Sequence, residues 1–175
     1  MLVYSTFESP VGRGVVAMRD GRLVSLKISS STPPAGAVED RAALRPFLEK
    51  LARFFAGERV DFDERLDVDV TPFARRVLQA ARRIPWGETR TYGEIARAAG
   101  SPGGARAVGQ VMGANPVSIV VPCHRVVASE GIGGFTGGLH RKRALLAIES
   151  KFDIEHRTSY IDAPERARLG AILVG

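Results

Sequence analysis

The chain is predicted to fold as an α/β half followed by a mostly helical half, on three observations. Short runs rich in β-branched residues, divided by turn residues, fill the stretch before Ser29. One amphipathic run with helical spacing follows. From Thr71 onward the pattern changes to short helices that carry their own caps. The expected division is residues 1–70 as an α/β scaffold with an antiparallel sheet, 71–150 as a helical subdomain holding the chemistry, and 151–175 as a tail with no assigned role.

Leu2–Phe7, Gly14–Met18 and Leu23–Ile28 read as strands of an antiparallel meander. The last two are joined through Arg19-Asp20-Gly21-Arg22, where Asp-Gly suits a tight hairpin turn. Ser29–Gly36, rich in Ser, Pro and Gly, is a loop. Between Asp40 and Ala56, Leu44, Phe47, Leu48, Leu51, Phe54 and Phe55 recur at helical spacing, and Gly57 stops the run. Pro46 either starts that helix or kinks it. Arg65–Val70 alternates apolar and acidic residues and is expected to add one more strand.

Thr71 is a good N-cap with Pro72 at the first helical position, and Phe73, Val77, Leu78 and Ala81 form one face. Ile84-Pro85-Trp86-Gly87 ends that helix. Thr91-Tyr92-Gly93-Glu94 has the Thr-x-x-Glu form of a capping box and opens a short helix to Ala99. Gly100 stops it, Ser101-Pro102 is expected to cap the next, and Gly103–Ala114 reads as a second helix lined with small residues. Two short helices around a Gly-containing turn form a helix-turn-helix pattern, although small side chains also permit close helix packing. Arg106 is the one long cation on that small-residue face: a solvated side chain, or a group that inserts into a base stack or contacts a phosphate.

Composition narrows the classes. Of 175 residues 45% are hydrophobic, enough for a sizeable core, and no run of 18 apolar residues spans a membrane. Met1–Pro10 lacks a basic and apolar leader pattern, so the expected protein is soluble, unexported and cytoplasmic, or nuclear in a eukaryote. A single cysteine makes no internal disulfide and suits a reducing compartment. The three histidines, His124, His140 and His156, stand too far apart to suggest a metal site, and no structural zinc is expected. Residues 1–70 carry 10 Lys/Arg against 11 Asp/Glu, whereas residues 71–150 carry 11 against 4. That local excess is the footprint of a polyanion binder; biased codon usage explains arginine over lysine but not the clustering.

The only cysteine lies in Asn115-Pro116-Val117-Ser118-Ile119-Val120-Val121-Pro122-Cys123-His124-Arg125-Val126. A thiol acts as a nucleophile in its thiolate form, and a neighbouring cation or imidazole can pull its pKa from about 8.5 toward neutrality. The alternative is a buried small hydrophobe, as unpaired cysteines usually are. On a strand, Cys123 and His124 would point to opposite faces.

With Tyr92, Ala105-Arg106-Ala107-Val108-Gly109, Asn115-Pro116, Pro122-Cys123-His124-Arg125-Val126, the glycine-rich loop Gly131–Gly138 and Arg141-Lys142 to Glu149, residues 71–150 closely resemble the O6-alkylguanine-DNA alkyltransferases. The first 70 residues match more loosely, and 151–175 have no counterpart. The resemblance implies a ribonuclease H-like N-terminal subdomain and a winged helix-turn-helix C-terminal one. It also implies a monomeric, cofactor-free repair protein that accepts one alkyl group from O6-alkylguanine in double-stranded DNA and is consumed, with O4-alkylthymine as a further candidate substrate.

Carried over by position, Cys123 is the acceptor, His124 draws its proton through a water, Glu149 orients His124, and Asn115 holds the turn that presents the cysteine. Reaction at O6 requires the base to leave the stack. Tyr92 then helps rotate the nucleotide, Arg106 fills the vacancy, Gly104 and Ala105 let the helix approach the minor groove, and Arg125 contacts DNA. Val126 and the loop residues Gly133, Phe135 and Thr136 line the base pocket, with the Val126 carbonyl meeting the guanine amino group. Relatives commonly carry tyrosine where Phe135 stands and a larger residue where Ala144 stands. His140 and His156 are expected to be surface or structural. The competing classes are a turnover hydrolase using Cys-His-Glu and a non-enzymatic helix-turn-helix regulator.

Overall fold

The computed structural model describes residues 1–150, so the expected tail and His156 lie outside the described residues. Contacts divide the chain into two units: Met1–Asp69 with Pro116–Val120, and Val70–Asn115 with the chain from Val121 onward.

In the first unit, β1 (Leu2–Ser9), β2 (Gly12–Arg19) and β3 (Arg22–Lys27) form the antiparallel meander, and a short β4 (Val38–Glu39) adds in parallel to β1, giving the order β3-β2-β1-β4. The β2–β3 turn has φ of 50° at Asp20 and 76° at Gly21. Two consecutive left-handed residues match the twist of the flanking strands, which is why Asp-Gly closes this hairpin. Val15, Val16, Leu23 and Leu26 are fully buried.

The helix α1 (Arg41–Phe55) starts at its Asp40 cap, whose carboxylate accepts from the Ala43 N–H at 2.9 Å. Pro46 therefore lies inside the helix rather than at its start. Leu44, Phe47, Leu51, Phe54 and Phe55 face inward, and Phe55 meets Phe7 of β1 at 6.3 Å between ring centres.

The strand expected over Arg65–Val70 is reduced to one bridge between Leu23 and Leu66. The reason is competition for the free edge of β3. Leu23 exchanges hydrogen bonds with Arg65 and Asp67, while Leu26 is taken by Pro116 (2.9 Å) and Ser118 (3.0 Å). Residues 116–118 are thus an added edge segment of the first sheet, contributed by chain from far along the sequence. That segment ends in a γ-turn: Ile119 has φ of 72°, and the Val120 N–H reaches the Ser118 carbonyl at 2.8 Å. A β-branched residue rarely adopts this conformation, and Ile119 is held in it while 2% exposed.

The second unit is mostly helical. In α2 (Pro72–Arg82) the Thr71 hydroxyl accepts from the Ala74 N–H, and Val77, Leu78, Ala80 and Ala81 are buried. The two-residue β5 (Arg90–Thr91) leads into α3 (Tyr92–Ala98), whose Thr91–Glu94 capping box forms in both directions. The next helix, α4, covers Ala105–Gly113 and has Gly104 as its cap, without a side-chain cap bond. It starts later than Ser101-Pro102 suggested because Gly103 sits at φ 79°, outside helical space. A 3₁₀ turn (Cys123–Arg125), β6 (Val126–Val127), which pairs in parallel with β5, and α5 (Leu139–Glu149) complete the unit. The α3–α4 pair is the expected helix-turn-helix, and among the described residues no helix is long and apolar enough to cross a membrane.

Candidate active site

Cys123 opens the 3₁₀ turn of the second unit. Pro122, with φ −80° and ψ 71°, turns the chain so that the Cys123 N–H meets the Val121 carbonyl at 2.8 Å. The expected strand geometry around Cys123 and His124 is replaced by this tight turn, so the two side chains need not face opposite ways. Asn115 fastens the same bend: its side-chain amide donates to the Val121 carbonyl at 2.8 Å and also hydrogen-bonds the cysteine sulfur.

Burial sets the state of the thiol. Cys123 is 6% exposed, and that desolvation pushes its pKa above the ordinary thiol value. Asn115, the Lys142 ammonium and the N–H groups of Cys123 and His124 pull the other way without overcoming it. The sequence left the direction of this shift open; in the free protein the sulfur is held as a thiol by its burial.

Beside it lies a fully buried charge cluster. His124 Nε2 and Glu149 Oε1 are 2.7 Å apart, with both side chains almost wholly enclosed. Arg125 donates from Nε to both Glu149 oxygens (3.0 and 2.9 Å), from Nη2 to Oε1 (2.7 Å), and from Nη1 to the Ile84 carbonyl (2.6 Å). The Gly87 N–H donates to Glu149 Oε2 at 3.3 Å. Burial alone would raise the carboxyl pKa; His124 and Arg125 outweigh it and bring Glu149 down to about 2. Burial lowers His124 despite Glu149, so the imidazole is neutral at pH 7. A neutral ring facing an ionised carboxylate carries its proton on Nε2, which leaves Nδ1 as the acceptor nitrogen.

This arrangement corrects one expectation. Arg125 was placed at the DNA surface; it is 9% exposed and committed to Glu149 and Ile84. A cation so paired is costly to withdraw.

A second buried cation escaped the sequence reading. Lys142 of α5 is fully enclosed, donates to the carbonyls of Val126 (2.6 Å) and Gly134 (2.9 Å), and lies 5.7 Å from the centre of the Tyr92 ring. Burial brings its pKa down to about 8, against the attraction of Cys123. The signal was present: Lys142, Leu145 and Glu149 fall at i, i+3 and i+7 on one helical stripe, but Arg141 and Arg143 make the lysine look like surface charge.

Lys142 ties the glycine-rich loop to the wall behind it. The Tyr92 hydroxyl donates to the same Gly134 carbonyl at 3.3 Å, and the Thr136 hydroxyl donates to the Gly113 carbonyl at 2.9 Å. Gly133, at φ 76°, has no room for a side chain, because a Cβ would lie 2.9 Å from the Tyr92 ring. Phe135 is half-buried, and the Gly138 N–H returns to its carbonyl. Replacing Lys142 by methionine takes the lysine donor from the buried Val126 carbonyl, at about 1–3 kcal/mol, and leaves the Gly134 carbonyl to the Tyr92 hydroxyl, partly offset by removing a buried charge. The expected result is a loosened loop, seen as faster proteolysis between residues 131 and 138 together with a lower transfer rate.

The structure thus brings Cys123, Asn115, His124, Glu149, Tyr92, Val126 and Gly133 into one unit. Arg106, Gly104 and Ala105 lie on or beside the first turn of α4, with Arg106 exposed. Gly104 has a local reason for being glycine, since a Cβ there would meet the Ser101 hydroxyl at 2.7 Å.

Comparison with known proteins places this geometry. The profile of the 6-O-methylguanine DNA methyltransferase ribonuclease-like domain matches residues 2–68, and that of the DNA binding domain of the same proteins matches residues 72–151. A methylated-DNA–protein-cysteine methyltransferase of Mycolicibacterium paratuberculosis is 46% identical over 155 residues, covering 86% of this chain and 94% of the relative. One from Saccharolobus islandicus is 37% identical over 149 residues, covering 85% and 96%. The crystal structure of Mycobacterium tuberculosis OGT in complex with DNA superposes with a TM-score of 0.79 at 42% identity, covering 85% of this chain and 93% of that one. With both domains matched over most of its length, the chain belongs to the 6-O-methylguanine DNA methyltransferase family.

Proposed function

We propose that the protein repairs DNA by direct reversal, moving the alkyl group of O6-alkylguanine in a duplex onto Sγ of Cys123 once per molecule. The observation that carries this reading is that a buried Cys123 shares one 3₁₀ turn with a neutral His124 whose ring is held by Glu149. The sulfur lone pair attacks the alkyl carbon, the carbon–O6 bond breaks with its electrons passing to the guanine, and a thioether remains on the protein. The thiol proton passes to His124, through a water, as substrate binding brings the base against the sulfur. Glu149 stabilises the imidazolium that forms.

The remaining site residues take roles consistent with their positions. Asn115 fixes the bend before Cys123, and Tyr92 abuts the glycine-rich loop where it can turn the nucleotide and donate to the base. The Val126 carbonyl, Gly133, Phe135 and Thr136 form the pocket wall, with Lys142 anchoring it from behind. Gly104 and Ala105 allow α4 to approach the minor groove, and Arg106 fills the vacancy left by the base. Residues 1–70, with the edge segment 116–120, act as scaffold and the rest of 71–150 as the repair unit. The working unit is a monomer, as the family resemblance implies. The free thiol suits the reducing cytoplasm.

Incubation with excess DNA carrying O6-methylguanine is expected to give a plateau near one methyl group per chain; continued turnover would contradict it and favour a hydrolase. Arg106→Ala is expected to slow repair in duplex DNA roughly tenfold or more, the scale of a few kcal/mol of unstacking, while reaction with the free O6-methylguanine base changes little. Equal losses on both substrates would remove Arg106 from the extrusion step.

A further inference from the structure

We infer that Arg83, Arg90 and Arg97 form a seat for a backbone phosphate of duplex DNA, apart from α4 and from the Cys123 pocket; this rests on the DNA-repair reading above. A hollow of about 330 Å³ lies in the second unit, floored in part by Ile84 and Ile95 and bordered by these three arginines and Glu94. The arginines reach it from three elements. Arg83 follows the last turn of α2, Arg90 is in β5, and Arg97 is in the last turn of α3.

The charge around the hollow is unbalanced. Its one carboxylate, Glu94, is already used by the capping box: it accepts from the Thr91 N–H at 2.7 Å, and that bond, with Arg90 and Arg97 nearby, holds it below the usual carboxylate range although burial opposes the shift. Arg90 donates to Glu88 at 2.8 Å and to the Thr89 carbonyl at 2.9 Å, which orients its guanidinium. Arg83 and Arg97 are exposed and have no ion-pair partner among the described residues. Guanidiniums held round one concavity repel one another until an anion enters, and their fork of donors matches phosphate oxygens.

A DNA phosphate fits better than an acidic protein segment. The hollow lies within the stretch carrying 11 basic against 4 acidic residues, and α3 is the first helix of the helix-turn-helix pair, the member that crosses the backbone in such motifs. The arginines supply position and affinity and read no bases, as suits a protein that scans for lesions.

The test is the salt dependence of binding to a short unmodified duplex, measured by fluorescence anisotropy for the full chain, for R83Q/R97Q and for R22Q/R45Q, which removes two exposed arginines of the first unit. R83Q/R97Q is expected to flatten the slope of log K against log salt by about 0.9, the value for one phosphate contact in B-DNA, with R22Q/R45Q unchanged. A wild-type slope in R83Q/R97Q, or the same flattening in both variants, overturns the seat. If the unaltered chain neither binds the duplex nor gains a methyl group at Cys123, the repair reading itself fails; if it does both while R83Q/R97Q keeps the full slope, only the seat fails.

Discussion

Cys123→Ser is expected to abolish alkyl transfer, by roughly 10⁴-fold or more on the scale of deleting a nucleophile, while duplex DNA is still bound. The substitution exchanges sulfur for oxygen at a position 6% exposed, within a bend already fixed by Asn115 and Pro122, so the fold is retained. A serine hydroxyl releases its proton far less readily than a thiol, and its oxygen is a poorer nucleophile toward saturated carbon. Single-turnover transfer of labelled methyl, alongside anisotropy on the same duplex, checks both halves. Retained transfer would move the acceptor elsewhere; lost binding with a native fold would mean that the sulfur takes part in holding DNA.

Glu149→Gln is expected to have the next largest effect, and it acts on stability and transfer together. Both Glu149 oxygens only accept, from Arg125, the Gly87 N–H and His124. A glutamine places an N–H₂ donor against other donors and strips Arg125 of its buried counter-charge, a loss of about 3–5 kcal/mol for a broken buried pair. Transfer is expected to fall roughly 10²–10⁴-fold, the range for removing general-base support, because His124 loses both its orientation and the charge that stabilises its protonated form.

The same cluster dictates acid sensitivity. The Glu149 pKa is depressed from 4.5 to about 2, so its stabilising contribution is present above 4.5 and is lost as pH falls through about 2. His124 is also depressed, from 6.5, so the unfolded chain takes up its proton first and stability declines as pH drops below 6.5. Denaturant midpoints measured from neutral pH downward should therefore fall in wild type, and fall less steeply below pH 4.5 in Glu149→Gln. Parallel curves would mean that the carboxylate is not held as described.

What the sequence made legible follows locality. The caps at Thr71 and Thr91 and the Asp20-Gly21 hairpin depend on residues within four positions of each other, and each formed at its expected place. The edge of β3 was not legible, because residues 65–67 and 116–118 compete for it from distant parts of the chain. In the site, the motif around Cys123 pointed to the proposed acceptor and its neighbours, but a string of residue types does not give burial. Arg125 therefore read as a DNA-facing cation and Lys142 drew no role, although one clamps Glu149 and the other ties Val126 to Gly134. Burial also set the direction of the Cys123 pKa, which adjacency to His124 and Arg125 alone left open.

The central claim is that one enclosed sulfur accepts the alkyl group and keeps it. Intact mass of the full chain after exposure to DNA containing O6-methylguanine, followed by peptide mapping, tests it directly. A gain of one methyl group, located on Cys123 and stable to further incubation, is expected; an unchanged mass beside demethylated DNA, or a methyl group on any other residue, would place the acceptor elsewhere.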